Sequence, residues 1–211
     1  DCMPFVKDGV FYLYYLLDYG HHNHPIVGPL GGHQYALCTS RDLVHWEDHG
    51  IALPLDFEKG EASNCTGSIV EYKGKMYALF AERSKNYKGE RFRIAISEDN
   101  GFHFTKLPFP KLDTPPQCHG AFRDPHGFVA SDGKMHILIT GQTDIESNGK
   151  ILTCGQVYHY TTEDMVNFTE EKNWAQVNGA PECCDYFKMR DNYYYTYNQA
   201  WETHYRYSKN E

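Results

Sequence analysis

The sequence predicts an all-β fold, a five-bladed β-propeller of four-stranded antiparallel blades with about four blades present in 211 residues. Three observations carry that expectation. Trp 3, Tyr 17 and Phe 12 make 15% of the chain, and aromatic side chains suit a pleated, half-buried surface better than a helix. Gly 18 and Pro 10 supply frequent turns. A strand-turn-strand element also returns four times at a nearly constant interval, the mark of a repeat architecture.

The first copy is Phe5-Val6-Lys7-Asp8-Gly9-Val10-Phe11-Tyr12, the second Ile69-Val70-Glu71-Tyr72-Lys73-Gly74-Lys75-Met76-Tyr77. The third runs through Phe128-Val129-Ala130-Ser131-Asp132-Gly133-Lys134-Met135-His136, the fourth through Tyr186-Phe187-Lys188-Met189-Arg190-Asp191-Asn192-Tyr193-Tyr194. Asp8-Gly9, Lys73-Gly74, Asp132-Gly133 and Asp191-Asn192 mark the turns, because Gly and Asn take positive φ at low cost. A second element follows the first three copies. Ser40-Arg41-Asp42, Ser97-Glu98-Asp99 and Thr162-Glu163-Asp164 end a strand in a turn whose side chains can bind the local backbone. Trp46, Phe104 and Phe168 recur beyond those turns and are read as blade packing.

Tyr12 to Tyr77 is 65 residues, Tyr77 to His136 is 59 and His136 to Tyr194 is 58, room for four strands and their loops. The fourth unit stops at Tyr207-Ser208-Lys209-Asn210-Glu211, where its own Ser-x-Asp turn is due. The chain therefore reads as one propeller domain, residues 1–211, with the fifth blade missing. Its opening on Asp1 without Met reads as a trimmed N-terminus.

Composition excludes several classes. Lys+Arg 20 against Asp+Glu 28 leaves a net charge of −8, which argues against nucleic acid as a partner. No run approaches the roughly 20 apolar residues of a spanning helix, so no membrane role is expected. Seven cysteines, an odd number without a C-x-x-C pair, imply no disulfide framework.

In a propeller the first strand of every blade lines the centre, so residues just ahead of each repeat should converge. Those residues are Asp1, then Thr66-Gly67-Ser68, then Arg123-Asp124-Pro125, then Glu182-Cys183-Cys184-Asp185. Three carboxylates facing one another suit cleavage of a glycosidic bond. One protonates the leaving oxygen while another attacks the anomeric carbon or activates water. Protonic chemistry at an acetal needs no cofactor. His21, His22, His24 and His33 fall in a Gly/Pro-rich stretch and are read as a loop giving substrate hydrogen bonds, not as a metal site.

Phe122-Arg123-Asp124-Pro125 matches the R-D-P motif of glycoside hydrolase family 32, the invertase, levanase and inulinase group, and Glu182-Cys183-Cys184-Asp185-Tyr186-Phe187 is similar to its E-C-P-D-F-F. Ser40-Arg41-Asp42-Leu43-Val44-His45-Trp46 and Thr66-Gly67-Ser68 resemble its S-x-D-L-v-H-W and S-G-S segments, in the same order. The resemblance implies a β-fructosidase acting on levan, inulin or sucrose by a retaining double displacement. By position it makes Asp1 the nucleophile, Asp124 the transition-state stabiliser and Glu182 the acid/base. Arg123, Thr66, Gly67, Ser68, His33 and His119 are then substrate-binding residues, the partner is an oligo- or polysaccharide, and the location is secreted or periplasmic. The chain departs from the pattern at Cys2-Met3-Pro4, where the family has P-N-G, and at Cys184, where it has Pro. Family 43, related with families 62 and 68, keeps open an inverting α-L-arabinofuranosidase or β-xylosidase, and a non-catalytic sugar-binding propeller is the third reading. Carboxyl groups about 5 to 5.5 Å apart predict retention and about 6.5 to 9.5 Å inversion.

Overall fold

Left-handed backbone at the tight turns starts the hairpins. In the computed structural model, which describes residues 1–20, 23–172 and 174–210, Asp8 and Gly9 have φ of 51° and 73°, and Lys73 and Gly74 have 49° and 75°. Two successive positive values are what a two-residue type I′ turn takes. The fourth turn falls one residue earlier than the sequence suggests. Arg190 carries the positive φ of 56°, and Asn192 already opens the next strand.

The fold is all-β, as predicted, and among the described residues there is no helix. The 211 residues read as one domain divide into two units, Asp1–Phe109 and Pro110–Glu211. Unit 1 holds two sheets with strands side by side in chain order, as in a propeller blade. The first consists of β1 (Cys2–Lys7), β2 (Val10–Leu17), β3 (Gln34–Ser40) and β4 (Glu47–Leu53). The second consists of β5 (Glu61–Tyr72), β6 (Lys75–Ser84), β7 (Glu90–Ser97) and β8 (Thr105–Lys106).

Unit 2 holds β9 (Cys118–Val129), β10 (Met135–Ser147), β11 (Lys150–Thr162), β12 (Thr169–Glu170) and β13 (Ala175–Asn178) in one sheet. Its second sheet is β14 (Glu182–Met189), β15 (Asn192–Gln199) and β16 (Glu202–Ser208). Two sheets thus depart from four strands. β11 is 13 residues long, so its outer edge has room for both β12, at Tyr160 and Thr161, and β13, at Cys154 to Val157. The last sheet has three strands.

Alternating apolar residues close each unit's core. In unit 1, Met3, Tyr14, Tyr35, Leu37, Leu53, Ile69, Phe80 and Phe104 are buried together from both sheets. A buried phenol needs a partner. Tyr14 donates to Gly101 O at 2.8 Å and Tyr35 to Cys65 O at 2.7 Å. In unit 2, Leu138, Val157, Cys184, Tyr186, Tyr195 and Tyr197 form the core, with Phe128 and Trp174 packed against it.

The three Ser/Thr-x-Asp turns share one bonding pattern. Asp42 Oδ1 accepts the amides of Val44 and His45 at 2.9 and 2.8 Å, and Asp164 Oδ1 accepts those of Val166 and Asn167 at the same distances. Asp99 Oδ1 accepts the His103 amide at 2.9 Å. The other oxygen meets a side chain, at 2.8 Å from His45 Nδ1, 2.7 Å from His103 Nδ1 and 2.7 Å from Asn167 Nδ2. The aromatic residues beyond these turns diverge. Phe104 is 5% exposed and packs edge-on against Tyr14, and Phe168 is half-buried. Trp46 is 40% exposed, which corrects its reading as core.

Bonds to the ionised form hold the Asp42 carboxyl, chiefly through His45, and the Asp164 carboxyl, chiefly through the Asn167 amide, far below the ordinary 3.8. A folded-state pKa lowered in this way contributes stability that is complete above about pH 4 and is lost as the pH falls below it. Thermal melts from about pH 6 to about pH 2 should therefore show a steep acid loss that the Asp42→Asn, Asp164→Asn double variant flattens. An identical slope in that variant would remove these turns as its source.

Candidate active site

Each site strand has a break in register beside the residues that matter. On β9, Arg123 pairs with Thr140 and His126 with Leu138, so Asp124 and Pro125 together face the single residue Ile139. On β14, Glu182 pairs with Asn198 and Asp185 with Thr196, so Cys183 and Cys184 face Tyr197. On β5, Asn64 pairs with Glu82 and Gly67 with Phe80, which leaves Cys65 and Thr66 facing Ala81. A bulge of this kind bends the strand and re-aims side chains. It also tolerates a proline, which has no N–H for the ladder. That is the physical reason for the Asp124-Pro125 pair. Cys184 occupies the equivalent place on β14, where its Sγ packs 3.7 Å from Asp124 O.

The bulges also fix relative phase. Asp124 is the first bulged residue of β9, whereas Glu182 is the residue before the bulge of β14 and so matches Arg123. The two carboxylates come from positions one residue apart, an offset that counting repeats does not reveal. Asp124 and Cys183, which do match, both have left-handed backbone, with φ of 53° and 48°. Aspartate tolerates that region; cysteine rarely enters it.

In unit 2 these features bring Arg123, Asp124 and Glu182 together. Asp124 is 6% exposed, and its Oδ2 accepts the Cys183 amide at 2.8 Å, so one bulge is tied to the other. Arg123 Nε lies 3.9 Å from the same oxygen, and Arg123 Nη2 ion-pairs with Glu182 Oε1. The Glu182 side chain is 49% exposed and so is open to a ligand. Thr140 Oγ1 donates to Arg123 O at 2.9 Å and holds the backbone from behind. Burial and the neighbouring carboxylates of Asp124 and Glu182 push the Cys183 thiol up to about 12, and burial pushes Cys184 up as well.

In unit 1, Asp1 is exposed, and its backbone carbonyl accepts the Leu16 amide at 3.1 Å. Thr66, the second bulged residue of β5, donates its hydroxyl to Asp1 Oδ2 at 2.6 Å. The bulge is pinned on three sides. The Asn64 amide donates to His33 O at 2.9 Å, Tyr35 donates to Cys65 O, and Lys106 Nζ donates to Asn64 Oδ1 at 2.8 Å. Lys106 belongs to a buried charge network, ion-paired with Glu61 and 3.6 Å from Glu82, which in turn pairs with Arg93 at 2.9 Å. Asn64 and Lys106 escape a reading of the sequence because neither recurs at a repeat phase.

Gly67 follows the bulge where β5 runs so close to β6 that a Cβ would collide with the Leu79 carbonyl oxygen. Ser68 is buried behind it. His33 lies at the Asp1 end of the first sheet, 3.2 Å from Asp18, with its amide donating to Ser63 Oγ. His119 has another partner, Asp144 at 2.9 Å, on the far arms of β9 and β10. His24 stacks on Phe57, while His21 and His22 lie outside the described residues. Among the described residues no group of three or more His, Cys, Asp or Glu is arranged to hold a metal ion.

Residues 3–211 match the glycosyl hydrolases family 32 N-terminal domain. The sucrose-6-phosphate hydrolase of Klebsiella pneumoniae is 27% identical over 157 residues, which cover 72% of this chain and 33% of that protein. Fructan 1-exohydrolase IIa of Cichorium intybus shares the fold, with a TM-score of 0.78 and 19% identity over 98% of this chain and 41% of that one. Sucrose-6-phosphate hydrolase of Lactobacillus gasseri superposes with a TM-score of 0.72 and 22% identity, covering 93% and 39%. The chain spans about a third of the length of the curated relatives it matches.

Two outcomes check this geometry. Gly67→Ala should lose about 1–3 kcal/mol in urea denaturation, since backbone and not a flexible side chain blocks the methyl group. Native protein treated with iodoacetamide at about pH 8 should be labelled at exposed Cys2 and spared at Cys183 and Cys184, because the thiolate is the reactive form. Peptide mapping that finds Cys183 alkylated as fast as Cys2 would contradict the high thiol pKa.

Proposed function

The chain belongs to glycosyl hydrolase family 32, and we propose that it carries the chemistry of a glycosidase that hydrolyses β-linked fructosides such as sucrose, inulin or levan. The observation that supports this most directly is the cluster of Asp124, Arg123 and Glu182, assembled by two bulges. The curated and solved relatives include sucrose-6-phosphate hydrolases and a fructan 1-exohydrolase, which favours a fructosyl donor.

In this reading Glu182 is the general acid/base and its exposure gives it access to the leaving oxygen. Asp124, buried and held by the Cys183 amide, accepts hydrogen bonds from sugar hydroxyls that strengthen at the transition state. Arg123, beside both carboxylates, is a substrate-binding residue in this reading and keeps them charged. Asp1 is the nucleophile, and the Thr66 hydroxyl fixes one of its oxygens. In the first step the Asp1 carboxylate forms a bond to the anomeric carbon as the glycosidic bond breaks, and Glu182 gives its proton to the departing oxygen. In the second, Glu182 takes a proton from water, the water oxygen bonds to the anomeric carbon, and Asp1 leaves.

Assays on sucrose, inulin, levan and arabino-oligosaccharides test this reading. Glu182→Gln should lower kcat by about 10²- to 10⁴-fold, and activity unchanged in that variant would eliminate the proposed acid/base. Following the anomeric form of the first-formed sugar by NMR should show retention; inversion would favour the family 43 type of reaction, and sugar binding without product the non-catalytic one.

A further inference from the structure

At the end of the first sheet opposite Asp1, where the Asp8-Gly9 turn joins β1 to β2, an open cleft of about 680 Å³ is lined by Trp46, Phe102, His49, Arg41, Glu47 and Asn100. We propose that this cleft is a second, non-catalytic binding site for a neutral saccharide.

Trp46 carries the inference. Its repeat counterpart Phe104 is buried against Tyr14, yet Trp46 stands 40% exposed at the cleft wall. The indole N–H is used locally, donating to Leu43 O at 3.3 Å. What the ring offers a ligand is therefore apolar surface of the kind that packs on the C–H face of a sugar. Phe102 is held edge-on to His49 at 4.9 Å, and His49 Nε2 lies 2.7 Å from Thr39 Oγ1, so this wall has its own internal contacts.

The polar rim supplies what hydroxyls need. Arg41, Glu47 and Asn100 are exposed, and their side chains make no hydrogen bond or ion pair among the described residues. Together they present an N–H fork, a carboxylate acceptor and an amide with both functions. The charge at the cleft favours a neutral ligand over a phosphorylated one. Lys7 is paired with Glu71 at 2.9 Å, and the lining carries the carboxylates of Asp8, Asp42 and Glu47 with Arg41 as its one other Lys or Arg. The volume lies within the range of about 300 to 1,000 Å³ usual for small-molecule sites.

The inference goes beyond the catalytic reading, and only the choice of fructans as first probes rests on it. Native gels cast with inulin, levan, arabinan or xylan test it, with Glu182→Gln as the background so that the polymer is not consumed. At least one of these glycans should retard that protein, with an apparent affinity that falls at least about 5-fold on adding Trp46→Ala, and similarly with the milder Arg41→Ala. Thermal melts of both variants show whether they remain folded. Retardation by none of the four glycans, or retardation that survives both changes in folded protein, would overturn the proposal. Retardation through Trp46, with a wild-type protein that cleaves neither these glycans nor sucrose, would sink the catalytic reading alone.

Discussion

A β-ladder has room for one residue opposite one, and the cluster of Asp124, Arg123 and Glu182 depends on a local breach of that rule. On β9 and β14 two residues occupy the space of one, and the strand must bend to keep its remaining hydrogen bonds. The bend turns Asp124 so that its carboxylate meets the Cys183 amide of the neighbouring strand. It also leaves Arg123 and Glu182, the residues immediately before the two bulges, within ion-pairing reach. Without the extra residues these side chains would follow the strict alternation of a strand.

Burial then restricts what can surround the bulges. Asn64, Glu61, Glu82 and Arg93 of unit 1 are all buried, and Lys106 reaches in among them. Such a network holds only while the charges are matched, because one unpaired charge in that setting costs several kcal/mol. Lys106 shows the tension: burial draws its pKa down while Glu61 and Glu82 push it back up. The network ends on the Asn64 side chain, next to the Cys65–Thr66 bulge that bonds to Asp1. The acidic residue at the chain's exposed surface thus rests on an arrangement of charges packed well behind it.

Much of the fold is legible in the sequence because its signals are local. Asp8-Gly9 and Lys73-Gly74 specify turns through their own backbone preferences, and Ser40-Arg41-Asp42 and Thr162-Glu163-Asp164 bind their own amides. The places where the reading slips involve partners distant in the chain. Trp46 shares its repeat phase with Phe104, but whether an aromatic ring is buried depends on what packs over it, and repeat position does not encode that. The offset between Asp124 and Glu182 escaped for a similar reason. A bulge adds a residue without any break in the pattern of apolar positions.

The amino-acid sequence by itself determined the class of fold and, to within a residue, the positions of the hairpins, which follow from short-range backbone preferences and a repeating pattern. Only tertiary structure decided which residue ahead of each repeat is turned toward its neighbour, which charges accompany it, and that Trp46 stays at the surface. Those outcomes depend on hydrogen bonds and packing between strands roughly 60 residues apart, such as Cys183 to Asp124 and Arg123 to Glu182. Free energies of that kind belong to pairs of segments, and no single segment contains them.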